Sequence, residues 1–202
     1  MRKSKNSNHP AKGASIKVEP IRTLEDIERI KTMLQGQPRN LCLFTLGINT
    51  AYRAGELLSL RIADVIDLRP GAVLDLKQSK NKEYRQTVMN KTVYHAIQNW
   101  LQQHPKQNDL NAPLFLSQRK NKSLTVAAVN LLMKSWCYEI GLIGNYGSHS
   151  LRKTWGYHQR VTQGQSLTLI SRALGHATEA DTLRYLGLLP DEVGALYLNM
   201  EL

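Results

Sequence analysis

In the run Gly147-Ser148-His149-Ser150-Leu151-Arg152-Lys153-Thr154, His149 and Arg152 stand three apart, which puts both on one face at a helix start. Two donors there point at the same place. A helix N-terminus adds backbone N–H groups and the positive end of a dipole, so the natural guest is an anion such as a phosphate. Further on, Leu174-Gly175-His176 ends a helix at a glycine, and Tyr185 follows nine residues after His176 within Thr182-Leu183-Arg184-Tyr185-Leu186-Gly187. Arg53 and Glu56, in the run RAGELLSL, are another pair three apart, and Lys77, Lys80 and Lys82 cluster in one short polar segment. Each has a plainer reading. Arg53 with Glu56 reads as a surface ion pair, the lysines as solvated charges that charge alone does not separate, His149 and His176 as helix caps, and Tyr185 as a core residue.

The chain that must position these groups has 202 residues, the length of one domain or of a domain with a short appendage. Hydrophobic residues make up 42% and charged residues 21%, the balance of a chain that buries a real core. No run between charges is long or apolar enough to span a bilayer, and no apolar signal opens the chain, so membrane insertion and secretion are disfavoured. Cys42 and Cys137 lack CxxC or Cys/His ligand spacing, which argues against a disulfide framework or structural zinc and for buried thiols in a reducing cytosol. Lys and Arg number 27 against 16 Asp and Glu, a net charge of +11 that favours a polyanionic partner, with nucleic acid first.

Residues 1–20 hold five Lys or Arg, one Glu and almost nothing to bury, and read as a disordered basic arm. Thr23 with Asp26 resembles an N-cap, and Leu24, Ile27, Ile30 and Leu34 predict a helix over about 23–35. Residues 39–52 are nearly all apolar and predict a buried central helix, followed by helix and then turn over 54–65. Pro70-Gly71 and the apolar runs on either side of the Lys-rich 79–83 predict a β-hairpin with a basic tip. Helical periodicity returns over 91–103 and 126–140, and the last sixty or so residues read as four short helices over 148–162, 166–174, 179–186 and 190–200. Trp136 and Trp155 read as core. The result is an α+β domain, mainly helical, with a small antiparallel β-sheet.

The set Arg53 with Glu56, hairpin Lys80, His149 with Arg152, His176 and Tyr185 resembles the tyrosine recombinase (phage integrase) family, whose Arg-Lys-His-x-x-Arg-His-Tyr series is present in order. The gaps agree as well, including the five residues from Lys80 to Arg85 and the nine from His176 to Tyr185. The resemblance covers roughly residues 22–200 and implies that residues 21–202 form a tyrosine recombinase catalytic domain. It implies a site-specific enzyme that breaks and rejoins DNA strands through a covalent 3′-phosphotyrosyl intermediate. In that scheme Tyr185 is the nucleophile, Arg53 and Arg152 stabilise the transition state, and His149 does acid/base work. His176 is a further donor to phosphate, Lys80 is the general acid, and Glu56 orients the cations. No metal and no cofactor is required.

The implied partners are double-stranded DNA, further copies of the chain in a tetramer on that DNA, and DNA-bending accessory proteins, in a prokaryotic or phage-encoded protein of the cytoplasm and nucleoid. Two alternatives share the fold: a type IB topoisomerase-like relaxing enzyme and a catalytically idle DNA-binding regulator. Most family members carry an additional N-terminal helical domain that clamps DNA, where this sequence has only the basic arm, as in a minimal recombinase or a fragment. Lys153 is a smaller departure, standing where the family often has His or Arg.

Overall fold

The computed structural model describes residues 17–77, 84–117, 122–187 and 198. Helix α1 (Leu24–Met33) starts where Thr23 Oγ1 accepts from the Asp26 amide, and it buries Ile27 and Ile30. Helix α2 (Pro38–Asn49) begins on a proline, whose missing N–H costs nothing at a first helical turn. Its Cys42, Leu43, Phe44 and Leu46 are wholly buried, so α2 is the central helix that an apolar run predicts. It stops at Asn49, short of the expected Tyr52, because Thr50 caps it through Oγ1 to the Leu46 carbonyl and Ala51 then turns left-handed at φ 58°.

The helix and then turn expected over 54–65 are both present. Helix α3 (Ala54–Ser59) ends at Leu60, whose extended backbone breaks the ladder before a 3₁₀ turn at Ile62–Asp64. Strands β1 (Val73–Lys77) and β2 (Tyr84–Val88) pair antiparallel with Val73 opposite Val88 and Lys77 opposite Tyr84. The base of this hairpin is tied to the chain just before Arg53. Tyr52 donates its hydroxyl to the Leu74 carbonyl (2.9 Å), and Thr87 donates to the Thr50 carbonyl (3.3 Å). Helices α4 (Lys91–Leu101), α5 (Val126–Glu139), α6 (Ser148–Val161), α7 (Leu167–Leu174) and α8 (Glu179–Leu186) complete the order. Asn90, Thr125, Ser166 and Thr178 cap α4, α5, α7 and α8 through side-chain oxygens. The expected helix over 190–200 lies outside the described residues, Leu198 excepted.

The core forms around α2, which packs on α4 and on α6, while α6 also carries α5, α7 and α8. Phe44 of α2 meets Trp136 of α5 edge-on at 6.0 Å between ring centroids. A smaller apolar cluster of Ala51, Ile170 and Leu174 forms the bed on which the half-buried Trp155 and Tyr185 lie, so Trp155 is only in part the core residue expected. Burial pushes the Cys42 thiol up and the Cys137 thiol to about 12, which keeps both protonated and unreactive.

Two glycines let α6 sit where it does. A Cβ on Gly47 of α2 would stand 2.7–3.0 Å from side-chain atoms of the buried Leu151, and one on Gly156 would stand 2.7 Å from Leu186 of α8. Gly47→Ala is therefore expected to destabilise the fold by about 1–3 kcal/mol, as overpacking of a filled core does. A melting curve superimposable on the parent's would show that the α2–α6 contact yields instead.

Residues 17–20 are not part of a free arm. The Glu19 amide donates to the Asn145 carbonyl (2.8 Å), and Asn145 Nδ2 donates to the Lys17 carbonyl (3.0 Å). Ile21 N donates to Thr154 Oγ1 (2.9 Å), and His158, a residue with no readable sequence pattern, donates from Nε2 to the Ile21 carbonyl (3.0 Å). Polar backbone at 17–22 finds its donors and acceptors on α6 and the loop before it. That partnership has no compositional signature, which is why the segment reads as arm.

Candidate active site

Arg53 occupies the N-cap of α3. Its amide donates to Glu56 Oε2 (2.6 Å) and its guanidinium to Glu56 Oε1 (3.0 Å). Glu56 is only 5% exposed, so this is no surface ion pair: a buried carboxylate fixes a partly open arginine. Arg152, on the second turn of α6, is buried at 2% exposure. It donates from Nη1 to the Ala51 carbonyl and from Nη2 to the Leu174 carbonyl. Those two acceptors belong to segments far apart in sequence, the left-handed turn before Arg53 and the end of α7. The Ala51 carbonyl is turned toward α6 by a backbone conformation uncommon for a residue with a Cβ.

At the start of α6 the Gly147 amide donates to Ser150 Oγ and the Ser148 amide to Asn130 Oδ1, both at 3.1 Å. Two of the amides expected to serve an anion thus have protein partners, and the anion chemistry falls to side chains. His149 is exposed at the mouth of a cleft of about 350 Å³ that Lys153 and Tyr185 also line. Desolvation, and then the charges of Arg152, Arg53 and Lys153, hold its pKa below the ordinary 6.5. The imidazole is then neutral at neutral pH and able to take a proton. If His149 is the base, the acid limb of the cleavage rate lies below pH 6.5, since protonation is what removes the function. A pH–rate profile of DNA cleavage checks this, and a limb above 6.5 would assign the base elsewhere.

Helix α7 ends on Gly175 in the left-handed conformation (φ 60°), which swings the chain around to His176. His176 Nδ1 shares a hydrogen bond with Thr182 Oγ1 (2.9 Å), and Thr182 in turn bonds Ser171 Oγ (2.6 Å). A buried hydroxyl pair between α7 and α8 thereby orients the imidazole. Tyr185 on α8 lies against residues of α6, with the His176 ring edge-on at 5.0 Å between centroids. Arg152 Cζ lies 6.0 Å and Lys153 Nζ 5.2 Å from the centroid of the Tyr185 ring.

The structure thus gathers Arg53, Glu56, His149, Arg152, His176 and Tyr185 from three helices and two turns. Lys80 falls outside the described residues. Sequence reasoning did not single out Ser171 and Thr182, which hold His176, or the part Lys153 plays beside Tyr185. Only the position of Lys153, four after His149 and so on the same helix face, hinted at the latter. Among the described residues no group of three or more His, Cys, Asp or Glu could hold a metal, and no helix is long and apolar enough to cross a membrane.

Residues 22–191 match the family model described as "Phage integrase family". The chain belongs to that family. Its relatives are named as integrase/recombinases and tyrosine recombinases. The "Probable integrase/recombinase YoeC" of Bacillus subtilis is 31% identical over 183 residues, 89% of this chain and 95% of that protein. "Tyrosine recombinase XerC" of Proteus mirabilis is 26% identical over 92% of this chain, which spans only 57% of XerC. Among solved structures the XerA recombinase superposes with a TM-score of 0.75 at 22% identity, over 90% of this chain and 65% of that one. XerH bound to its palindromic difH substrate, a post-cleavage complex, gives 0.71 at 23% identity over 91% and 53%. These likenesses establish the recombinase catalytic fold for this integrase-family chain.

Proposed function

We propose that this family member cleaves one strand of duplex DNA by attack of Tyr185 Oη on a phosphodiester held among Arg53, His149, Arg152 and His176. The observation that supports it best is the buried Arg152 guanidinium, which two backbone carbonyls fix beside the tyrosine ring. As the nucleophile adds, negative charge concentrates on the nonbridging oxygens, and cations already in place stabilise it without reorganising. Tyr185 Oη forms its bond to phosphorus while the bond to the 5′ oxygen breaks. The phenolic proton passes to His149, and the departing oxygen takes a proton from Lys80. The 3′-phosphotyrosyl link conserves the bond energy, so a 5′ hydroxyl can attack in the reverse sense and rejoin a strand.

Strand exchange calls for two duplexes and two cleavages on each, hence a tetramer of this chain on DNA, aided by proteins that bend it, in the cytoplasm around the nucleoid. The basic residues before the described region add affinity that does not depend on sequence. The test is incubation with a nicked suicide substrate in EDTA, followed by a denaturing gel. A covalent protein–DNA band is expected. Tight binding with no band would make the chain a DNA-binding regulator.

The assignment of Lys80 has its own signature. Lys80→Ala should slow cleavage of ordinary DNA by about 10²- to 10⁴-fold, the size of general-acid catalysis. A 5′-bridging sulfur is a leaving group that needs no proton, so that substrate should restore the rate of Lys80→Ala but not of Arg152→Ala. Rescue of Lys77→Ala or Lys82→Ala, with none for Lys80→Ala, would move the acid to that lysine.

A further inference from the structure

Lys153 is a charged side chain at 7% exposure that none of the steps above employs. It follows Arg152 on α6, and its Nζ stands between two features of the nucleophile helix. One is the face of the Tyr185 ring, 5.2 Å from Nζ to centroid. The other is Gly187, the left-handed residue that ends α8, where a Cβ would be 3.8 Å from that Nζ. Arg22 donates to the Gly187 carbonyl at 2.9 Å, so the negative end of α8 already has a cation from the N-terminal segment. A second buried ammonium is not needed to cap a helix of eight residues.

We propose that Lys153 is a further positioning residue of the cleavage reaction, holding a positive charge against the Tyr185 ring and so favouring the phenolate that attacks phosphorus. The physical reason lies in the ring. A phenolate spreads its charge into the π system, so a cation over the ring face binds the ionised form more strongly than the neutral one. The charge of Lys153 is opposed by burial and by Lys17 and Arg22, and supported by Glu19. The other charged or titratable groups around Tyr185 are Lys17 from the N-terminal segment, which lines the same cleft, His149 and Arg152 from α6, His176 from the turn before α8, and Asp181 with Arg184 on α8 itself. Asp181 and Arg184 pair with each other at 3.2 Å and largely cancel. Lys153 and Arg152 remain as the cations over the ring.

The inference rests on Tyr185 being the nucleophile, and the experiment separates the two. A fluorotyrosine is placed at position 185, and its ionisation is followed by fluorine NMR in the full chain carrying Lys153, Lys153→Met or Lys153→Arg. Adduct formation on the suicide substrate is measured against pH with the unlabelled proteins. In Lys153→Met, which keeps the aliphatic stem, the ionisation midpoint should rise by about one pH unit or more. The adduct rate near neutral pH should fall about tenfold with it, while DNA affinity stays within about twofold. Lys153→Arg should restore most of both. A folded Lys153→Met with the parent's midpoint and pH–rate profile overturns the inference, as does a folded Lys153→Arg that behaves like the Met variant. A parent protein that forms no adduct overturns the nucleophile reading itself.

Discussion

Tyr185→Phe is expected to abolish covalent attachment to DNA while leaving DNA binding close to that of the parent. The substitution removes one oxygen, the atom that would form the bond to phosphorus, and no other side chain in the cluster can replace it in line. The ring itself stays. It keeps its contacts with the apolar bed of Ala51, Ile170 and Leu174, its edge-on contact with His176, and the cations over its face. Folding and the charge of the DNA-binding surface are therefore preserved, and the loss appears in the chemical step alone. The check is a suicide substrate on a denaturing gel beside a binding isotherm at fixed salt. A Phe variant that still yields the covalent band would end the assignment.

Arg152→Ala is expected to cost on the order of 3 kcal/mol or more of transition-state stabilisation, at least a hundredfold in single-turnover cleavage, comparable to losing a preorganised oxyanion donor. It should also lower stability, because the buried Ala51 and Leu174 carbonyls lose their donor, at about 1–3 kcal/mol for each acceptor left unpaired. Arg53→Ala should match it in rate and cost less in stability. Arg53 is partly open, and after its loss Glu56 would still accept the residue-53 amide. The two variants therefore separate chemistry from folding, through rates measured at saturating protein and through thermal melts. A normal cleavage rate in folded Arg152→Ala would return that arginine to a purely structural role.

The cap at Thr23 was legible because it is local, and four further helices carry caps of the same kind. Thr23, Asn90, Thr125, Ser166 and Thr178 each place a short oxygen three residues before an amide that needs an acceptor, and each caps its helix in the structure. The α2 stretch was legible because an all-round apolar helix must be interior. The end of α2 and the exact residue at which α3 gives way to its turn were not. Each turns on a backbone dihedral, at Ala51 and at Leu60, in residues whose types do not demand it. The ion pair of Arg53 and Glu56 could be read as three apart, but burial decides whether such a pair orients a site or merely decorates a surface. Glu56 is buried where α3 packs against α2, α5 and α6.

The sequence by itself determined which residues are the candidates for chemistry and in what order they come, since residue type and spacing along helices and turns carry that information locally. Six candidate positions in one order carried the family resemblance, and that resemblance implied phosphoryl transfer on DNA; the basic balance by itself pointed to a nucleic-acid partner. Only the tertiary structure decided how the charges are held. Arg152 is fixed by two main-chain carbonyls, an acceptor that every residue possesses and no residue advertises, brought from segments 101 and 22 residues away. Lys153 meets Tyr185 only because α8 packs across α6 at Gly156. Residues 17–22 join the site because α6 offers Thr154 and His158 to their backbone, and α8 its final carbonyl to Arg22. Such contacts depend on the meeting of distant segments, and a pattern read along the chain carries no term for it.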